Sequence, residues 1–231
     1  MTDKKKFRLA LAAACFGAAC MLGTLQAAAE GGESAELNSD TVEYSTKTGI
    51  VTATGNVVMK RGNAIVTGAK AVYNSQTQEG TVSGNVVADK EDLHVTAQVV
   101  TTDGQKQMLA TGGVHAVKAD KTFTGEQVDY YPENEYVLIK TGGTVTSKDG
   151  RFTADYMEGW LNDERFKGVG NAHLVSPPKN LEAGGDQLDY FGKETGKAVL
   201  TGHAWAIQDN NTLKSNVLTI YLAEDGTANV E

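Results

Sequence analysis

The chain has 231 residues, 40% of them hydrophobic, so it can bury a core. Its formal charge of −8 disfavours nucleic acid and anionic lipid surfaces, which need clustered Lys and Arg. Its two cysteines, Cys15 and Cys20, both precede residue 30, so the remainder has no disulfide or thiol chemistry.

Residues 1–29 read as a secretory signal peptide. They have a basic start (Lys4-Lys5-Lys6-Phe7-Arg8), an apolar stretch from Leu9 to Leu25, and a small-residue site Ala27-Ala28-Ala29 before Glu30. The apolar stretch is rich in Ala and Gly and falls short of the ~20 strongly apolar residues of a spanning helix. Cleavage after Ala29 is therefore expected, with a retained anchor as the alternative. Lipidation is disfavoured, because Ala12 and Gly17 stand where a larger aliphatic residue would precede Cys15 and Cys20. The four basic residues outweigh Asp3 by three, so the rest of the chain carries −11 where the whole carries −8. Export without disulfides points to a bacterial periplasm or cell envelope.

From residue 37 an octet recurs: Leu37-Asn38-Ser39-Asp40-Thr41-Val42-Glu43-Tyr44, then Val66-Thr67-Gly68-Ala69-Lys70-Ala71-Val72-Tyr73, and later Phe123-Thr124-Gly125-Glu126-Gln127-Val128-Asp129-Tyr130. Looser copies begin at Val95, Phe152, Leu181 and Leu213, giving spacings of 29, 29, 28, 29, 29 and 32. Between octets a glycine opens a short apolar alternation, as in Gly55-Asn56-Val57-Val58-Met59, Gly84-Asn85-Val86-Val87 and Gly170-Asn171-Ala172-His173-Leu174. Turn-rich patches such as Asn74-Ser75-Gln76-Thr77 precede these strands. Each repeat thus holds two strands and two turns. Seven copies predict an all-β chain of about fourteen to sixteen strands, with no stretch of helical period beyond residue 29.

Alternation places Val57 with Met59, Val86 with Ala88, Val114 with Ala116 and Ala172 with Leu174 on one apolar face. The opposite face is mixed, with Lys60, Asp89, His115 and His173. Within the octet the first and sixth residues have opposite parity, which predicts a bulge or bend near the small third residue.

No catalytic constellation stands out. His94, His115, His173 and His203 lack metal-ligand spacing and read as strand-surface residues. Asp40, Glu126, Asp155 and Asp186 recur in register, which fits a structural ladder better than paired catalytic carboxylates. Trp160 and Trp205, with Phe123, Phe152 and Phe166, read as core aromatics. Neither an enzyme, a cofactor nor a metal site is expected.

The exported start, the repeated β units, Leu37-Asn38-Ser39-Asp40-Thr41-Val42-Glu43-Tyr44 and the Thr-Gly-Asn-Val strand opener resemble the LptA/OstA-like family of periplasmic lipopolysaccharide transport proteins. The resemblance covers roughly residues 35 to 222, within a domain spanning 30–231. It implies an elongated, slightly twisted antiparallel β-jellyroll, open along its length, whose apolar interior shields the acyl chains of lipopolysaccharide. It also implies end-to-end stacking between LptC-like and LptD-like partners. The groove is then expected along the apolar face at Val57, Met59, Val86, Val114 and Leu174, with Phe123 and Phe152 at octet starts. Open terminal strands, Leu37 to Tyr44 and Leu213 to Leu222, predict head-to-tail self-association. The competing expectations are a membrane-anchored LptC-like component and a dry structural β-solenoid. A charge at Met59 separates groove from solenoid, since an open groove would tolerate it and a sealed core would not.

Overall fold

A computed structural model describes residues 35–103, 106–192, 195–222 and 228–230. The expected signal peptide and its cleavage site lie outside the described residues. In chain order the strands are β1 (Ala35–Asn38), β2 (Thr41–Ser45), β3 (Ile50–Arg61), β4 (Ala64–Asn74), β5 (Glu79–Lys90) and β6 (Leu93–Asp103). They continue with β7 (Gln107–Lys118), β8 (Lys121–Tyr131), β9 (Tyr136–Ile139), β10 (Gly143–Ser147), β11 (Gly150–Ala154) and β12 (Tyr156–Trp160). The last are β13 (Arg165–Ser176), β14 (Leu181–Tyr190), β15 (Lys197–Gln208), β16 (Asn211–Leu222) and β17 (Ala228–Val230). A 3-10 turn, Pro177–Lys179, is the helical segment among the described residues.

All seventeen strands belong to one sheet, and the pairings are antiparallel. Consecutive strands pair from β3 to β8 and again from β13 to β16. Between these blocks the sheet runs in two tracks, one through β10 and β11 and the other through β9 and β12. The strand number exceeds the expected fourteen to sixteen because single strands of the repeat break where they turn a corner, at Ser39-Asp40, at Lys140-Thr141-Gly142 and at Asp155.

Those corners fold the sheet onto itself. Val51 and Met59 are eight residues apart in β3, about 26 Å if the strand were straight. They nevertheless line one void of about 20 Å³, together with Leu37 and Tyr73. The two halves of each long strand therefore lie in facing layers, and both halves bury their apolar side chains between them.

The sharp turn is made by a bulge. Gly55-Asn56 stands opposite Ala69 alone, Gly84-Asn85 opposite Gln98, and Gly112-Gly113 opposite Glu126, and the register shifts by one residue at each. Gly84 and Asn85 both take positive φ, 84° and 51°. Glycine and asparagine visit that region at low cost, which is why this pair opens the second half of the strand. The expected bulge thus exists but sits on the glycine-led strand, while the octet supplies the single residue opposite, its fourth. The small third residue has a different role: a side chain at Gly68 would collide with Val82, and one at Gly125 with Ile139.

Among the described residues two large hydrophobic clusters and a small one of Val51 and Tyr73 fill the interior. Of the large ones, one groups Ala53, Val57, Val66, Val86 and Val114 of the amino-terminal half, and the other groups Ile139, Phe152, Met157, Leu188, Leu200 and Ile220 of the carboxy-terminal half. The tryptophans depart from their expected core positions. Trp160 follows inward Gly159, and Trp205 lies between inward Ala204 and Ala206, so alternation sends both indoles outward. There Trp160 packs with Tyr136 and under Arg165, and Trp205 with His173.

Candidate functional site

The inner face is mainly apolar, with buried Thr102 and Ser176 as polar exceptions, and it is not equally closed along the molecule. Val57, Val86 and Val114 are no more than 3% exposed and Met59 only 5%, so small branched side chains seal the amino-terminal half. The carboxy-terminal half holds a cavity of about 660 Å³ whose walls include Val145, Phe152, Phe166, Leu174 and Leu188. Phe166 and Leu174 are eight residues apart in β13 and reach it from opposite layers, as Val51 and Met59 do in the closed half.

The aromatic octet start holds this space. Phe152 pairs in register with Leu174 in one layer, while its ring lies over Gly168 in the other. Of the expected groove positions, the structure brings Phe152 and Leu174 to the cavity wall. Phe123 stands in register with Val145, one strand removed. Val57, Met59, Val86 and Val114 share the inner face but belong to the sealed cluster.

The mouth lies where strand ends of the two layers meet. One lip is built by Asp120 and Lys121, by the turn between β10 and β11 with Lys148 and Asp149, by Arg151, and by Lys179 of the 3-10 turn. Glu164, from the turn after β12, and Tyr190 belong to the other lip. Lys121 Nζ lies 3.5 Å from Glu164 Oε1 and joins the two lips. Burial pushes the Tyr190 phenol above its ordinary pKa, and the charges of Glu164 and Asp149 push it further the same way. The hydroxyl therefore stays a neutral donor at the mouth.

Sequence reasoning missed this lip. Lys148 lies in the turn before β11, Arg151 near the start of β11 and Lys179 in the 3-10 turn after β13, and the pairing of β11 with β13 is what assembles them. The aromatic starts at 123 and 152, where the copies at 66 and 95 have valine, are the one sequence signal that this half differs.

The recurring polar residues fall outside the cavity. Asn56 donates to Asp40, Gln98 donates to Asn85, Asn171 donates to Asp155 at 2.7 Å, and His203 bonds Asp186, each across a bulge. Asp40, Asp155 and Asp186 of the expected ladder thus each hold a residue of the neighbouring bulge. His94 and His173 pair with Asp89 and Glu182 on the outer face of the sheet. Among the described residues no His, Cys, Asp or Glu group is arranged to hold a metal ion, and no helix is long and apolar enough to cross a membrane.

The LPS-assembly protein LptD of Nitrosomonas europaea is 24% identical over 99 residues, which make up 43% of this chain. The chain spans 13% of that relative's length. The crystal structure of LptH, the LptA homologous periplasmic component of the conserved lipopolysaccharide transport device from Pseudomonas aeruginosa, superimposes with a TM-score of 0.43 at 16% identity. That match covers 46% of this chain and 82% of LptH. Residues 36–165, more than half of the chain, match the family described as LptA/(LptD N-terminal domain) LPS transport protein, and the chain belongs to that family.

Proposed function

We propose that this protein carries lipopolysaccharide by sheltering its acyl chains between the two layers of the folded sheet. The observation that supports this most directly is the cavity of about 660 Å³ with Phe152, Phe166, Leu174 and Leu188 in its walls, in a chain of this family. That volume lies within the range of about 300–1,000 Å³ typical of ligand sites. Burying each CH₂ of an acyl chain contributes about 0.8 kcal/mol, so a few chain segments give useful affinity with no reactive group. Phe152 and Leu174 form the primary contact. Val57, Met59, Val86, Val114 and Phe123 continue the same apolar face toward the amino terminus.

In this reading the protein is exported by cleavage after Ala29 and works in the periplasm as a bridge between inner-membrane LptC-like and outer-membrane LptD-like partners. The terminal strands fit that role. Val42 and Tyr44 of the edge strand β2, and Leu213 and Val217 in the part of β16 that precedes its pairing with β17 at Ile220–Leu222, are 44–50% exposed, which suits pairing with a neighbour's edge. Head-to-tail copies of this chain are one such neighbour. Retention of residues 1–29 would make it the membrane-anchored LptC-like component instead, and amino-terminal sequencing of the exported protein separates the two.

The sealed amino-terminal half favours a second reading, a structural solenoid with a dry interior. A photo-crosslinking residue at Phe152 or Leu174 tests the choice. Labelling of lipopolysaccharide from either position, and none from the outward Thr153, is expected. Failure of both inward positions to label lipid would overturn the transport reading, as would depletion of the protein without accumulation of lipopolysaccharide at the inner membrane.

A further inference from the structure

The seam between the two layers changes character along the molecule, and one recurring position records the change. Two residues before the octet starts at 66, 95, 123 and 152 stand Ala64, Leu93, Lys121 and Gly150. Ala64 is buried and Leu93 packs against the amino-terminal cluster, so apolar contact closes the seam there. Gly150 has no side chain to close it, and there the cavity is open. Lys121 stands between these two states. It shares the inward parity of Phe123, and its ammonium reaches Glu164 Oε1 on the other lip at 3.5 Å, with Asp120 beside it at 3.6 Å.

The two partners hold equivalent places. Asp120 and Lys121 are the first residues of their lip in chain order, and Glu164 is the first of the other. The pair therefore crosses the seam at the end of the cavity that faces the sealed half. An amphiphile held in the cavity keeps its polar end outside the apolar interior, so its head and its chains are joined through the seam. A link from lip to lip stands across that path. Its side chains are 33% and 42% exposed, which makes it weak enough to break and reform.

Resting on the reading that the cavity takes acyl chains, we propose that the Lys121–Glu164 pair is a clasp that sets how far those chains extend along the sheet. Shut, it holds the layers together and stops the chains at Val145. Released, it lets the layers part and admits the chains to Phe123, the register partner of Val145 on the side of the sealed half.

The test places a photo-crosslinking residue at Phe123 or at Leu174 of the full chain and reads labelling of radioactive dodecyl maltoside below its micelle concentration. The uncharged headgroup keeps attraction to the lip charges out of the comparison. In the otherwise wild-type chain Leu174 should label well and Phe123 weakly. Lys121→Met and Glu164→Gln each remove one end of the pair. Either should raise the ratio of Phe123 to Leu174 labelling about two- to fivefold, the scale of one partly exposed ion pair. Lys121→Arg should keep the wild-type ratio. Salt at 1 M, where the screening length is about 3 Å, should raise the ratio in wild type and leave it unchanged in Lys121→Met. Glu164 lies in a turn, so its variant keeps the test decisive where Lys121→Met fails to fold.

An unchanged ratio in the neutral variants overturns the clasp and leaves the acyl-chain reading intact. An equal rise in Lys121→Arg overturns it too, by tracing the effect to the shape of lysine and not to the ion pair. Absence of labelling from Leu174 in every background overturns the acyl-chain reading itself, and the clasp with it.

Discussion

The ring of Phe152 fills the space above the Gly168 backbone that a side chain at position 168 would need, although the two residues lie in opposite layers. This contact sets the separation of the layers at the cavity. Gly168→Val should displace the ring and destabilise the protein by about 1–3 kcal/mol, the usual scale of overpacking. Phe152→Ala alone should also destabilise, by lost burial. Combined, the two should cost less than their sum, because the valine then enters the vacated space. Chemical denaturation of the four members of this cycle measures the coupling.

A second prediction concerns the corner at Gly170. Its φ is +75°, and a side chain there would run into the Asp155 carboxylate, which accepts from Asn171. Gly170→Ala meets both obstacles at once and should destabilise by about 1–3 kcal/mol. Asp155→Ala removes the steric obstacle and the hydrogen bond but leaves φ unchanged, so it should cost about 1 kcal/mol. Urea midpoints ordered wild type, Asp155→Ala, Gly170→Ala would support this account. Equal midpoints would show that the corner is not strained.

How far the molecule can be read from its sequence follows from these same residues. The inward parity of Val57, Val86 and Val114 was legible because a strand has period two and the glycine-led segments keep it over four residues. The corner was legible only in part. Val66 and Ala71 both point inward despite opposite parity, and the parity break looks the same whichever strand carries the extra residue. The outward indoles of Trp160 and Trp205 were hidden because size suggested burial while alternation decided it. The lip at Lys148 and Lys179 depends on pairing between distant strands, which local pattern does not encode.

The tyrosines predict an alkaline limit. Burial is the main cause raising Tyr130, Tyr136 and Tyr190 above the ordinary phenol value, and for Tyr156 the hydrogen bond to Glu158 comes first. In each case the native state holds the proton more tightly than the unfolded chain. Stability from these groups is therefore complete below about pH 10 and falls as pH rises above it, toward the folded values. Tyr136 is shifted most, by burial and then by Glu158. Tyr136→Phe should flatten the loss of stability above pH 10 while leaving neutral stability within about 1 kcal/mol. An unchanged alkaline slope would locate the effect elsewhere.

The edge strands predict concentration-dependent assembly. Val217→Lys places a charge on the exposed flank of β16, a common way to block strand addition. It should leave circular dichroism unchanged and shift sedimentation toward monomer. Deleting residues 211–231 should do the same more completely. Sedimentation of wild type and both variants as one identical species would remove β16 as the docking edge.

The last prediction divides the inner face into two halves. Met59 is 5% exposed and borders a void of about 20 Å³, too cramped to hydrate a carboxylate. Met59→Glu should therefore unfold the domain, as should Val114→Glu, because an unpaired buried charge costs several kcal/mol. Leu174 lines the open cavity and is half-buried, with Lys148 and Arg151 along the same mouth. Leu174→Glu should keep a native circular dichroism spectrum, since its carboxylate can reach water, and it should weaken binding of an acyl-chain probe at least tenfold by putting charge where methylenes pack. Unfolding by all three substitutions would mean that the carboxy-terminal cavity is as closed as the amino-terminal core. A folded Met59→Glu that loses lipid binding would instead extend the groove along the whole molecule, with the layers parting at Val57 and Val86 to admit the chain.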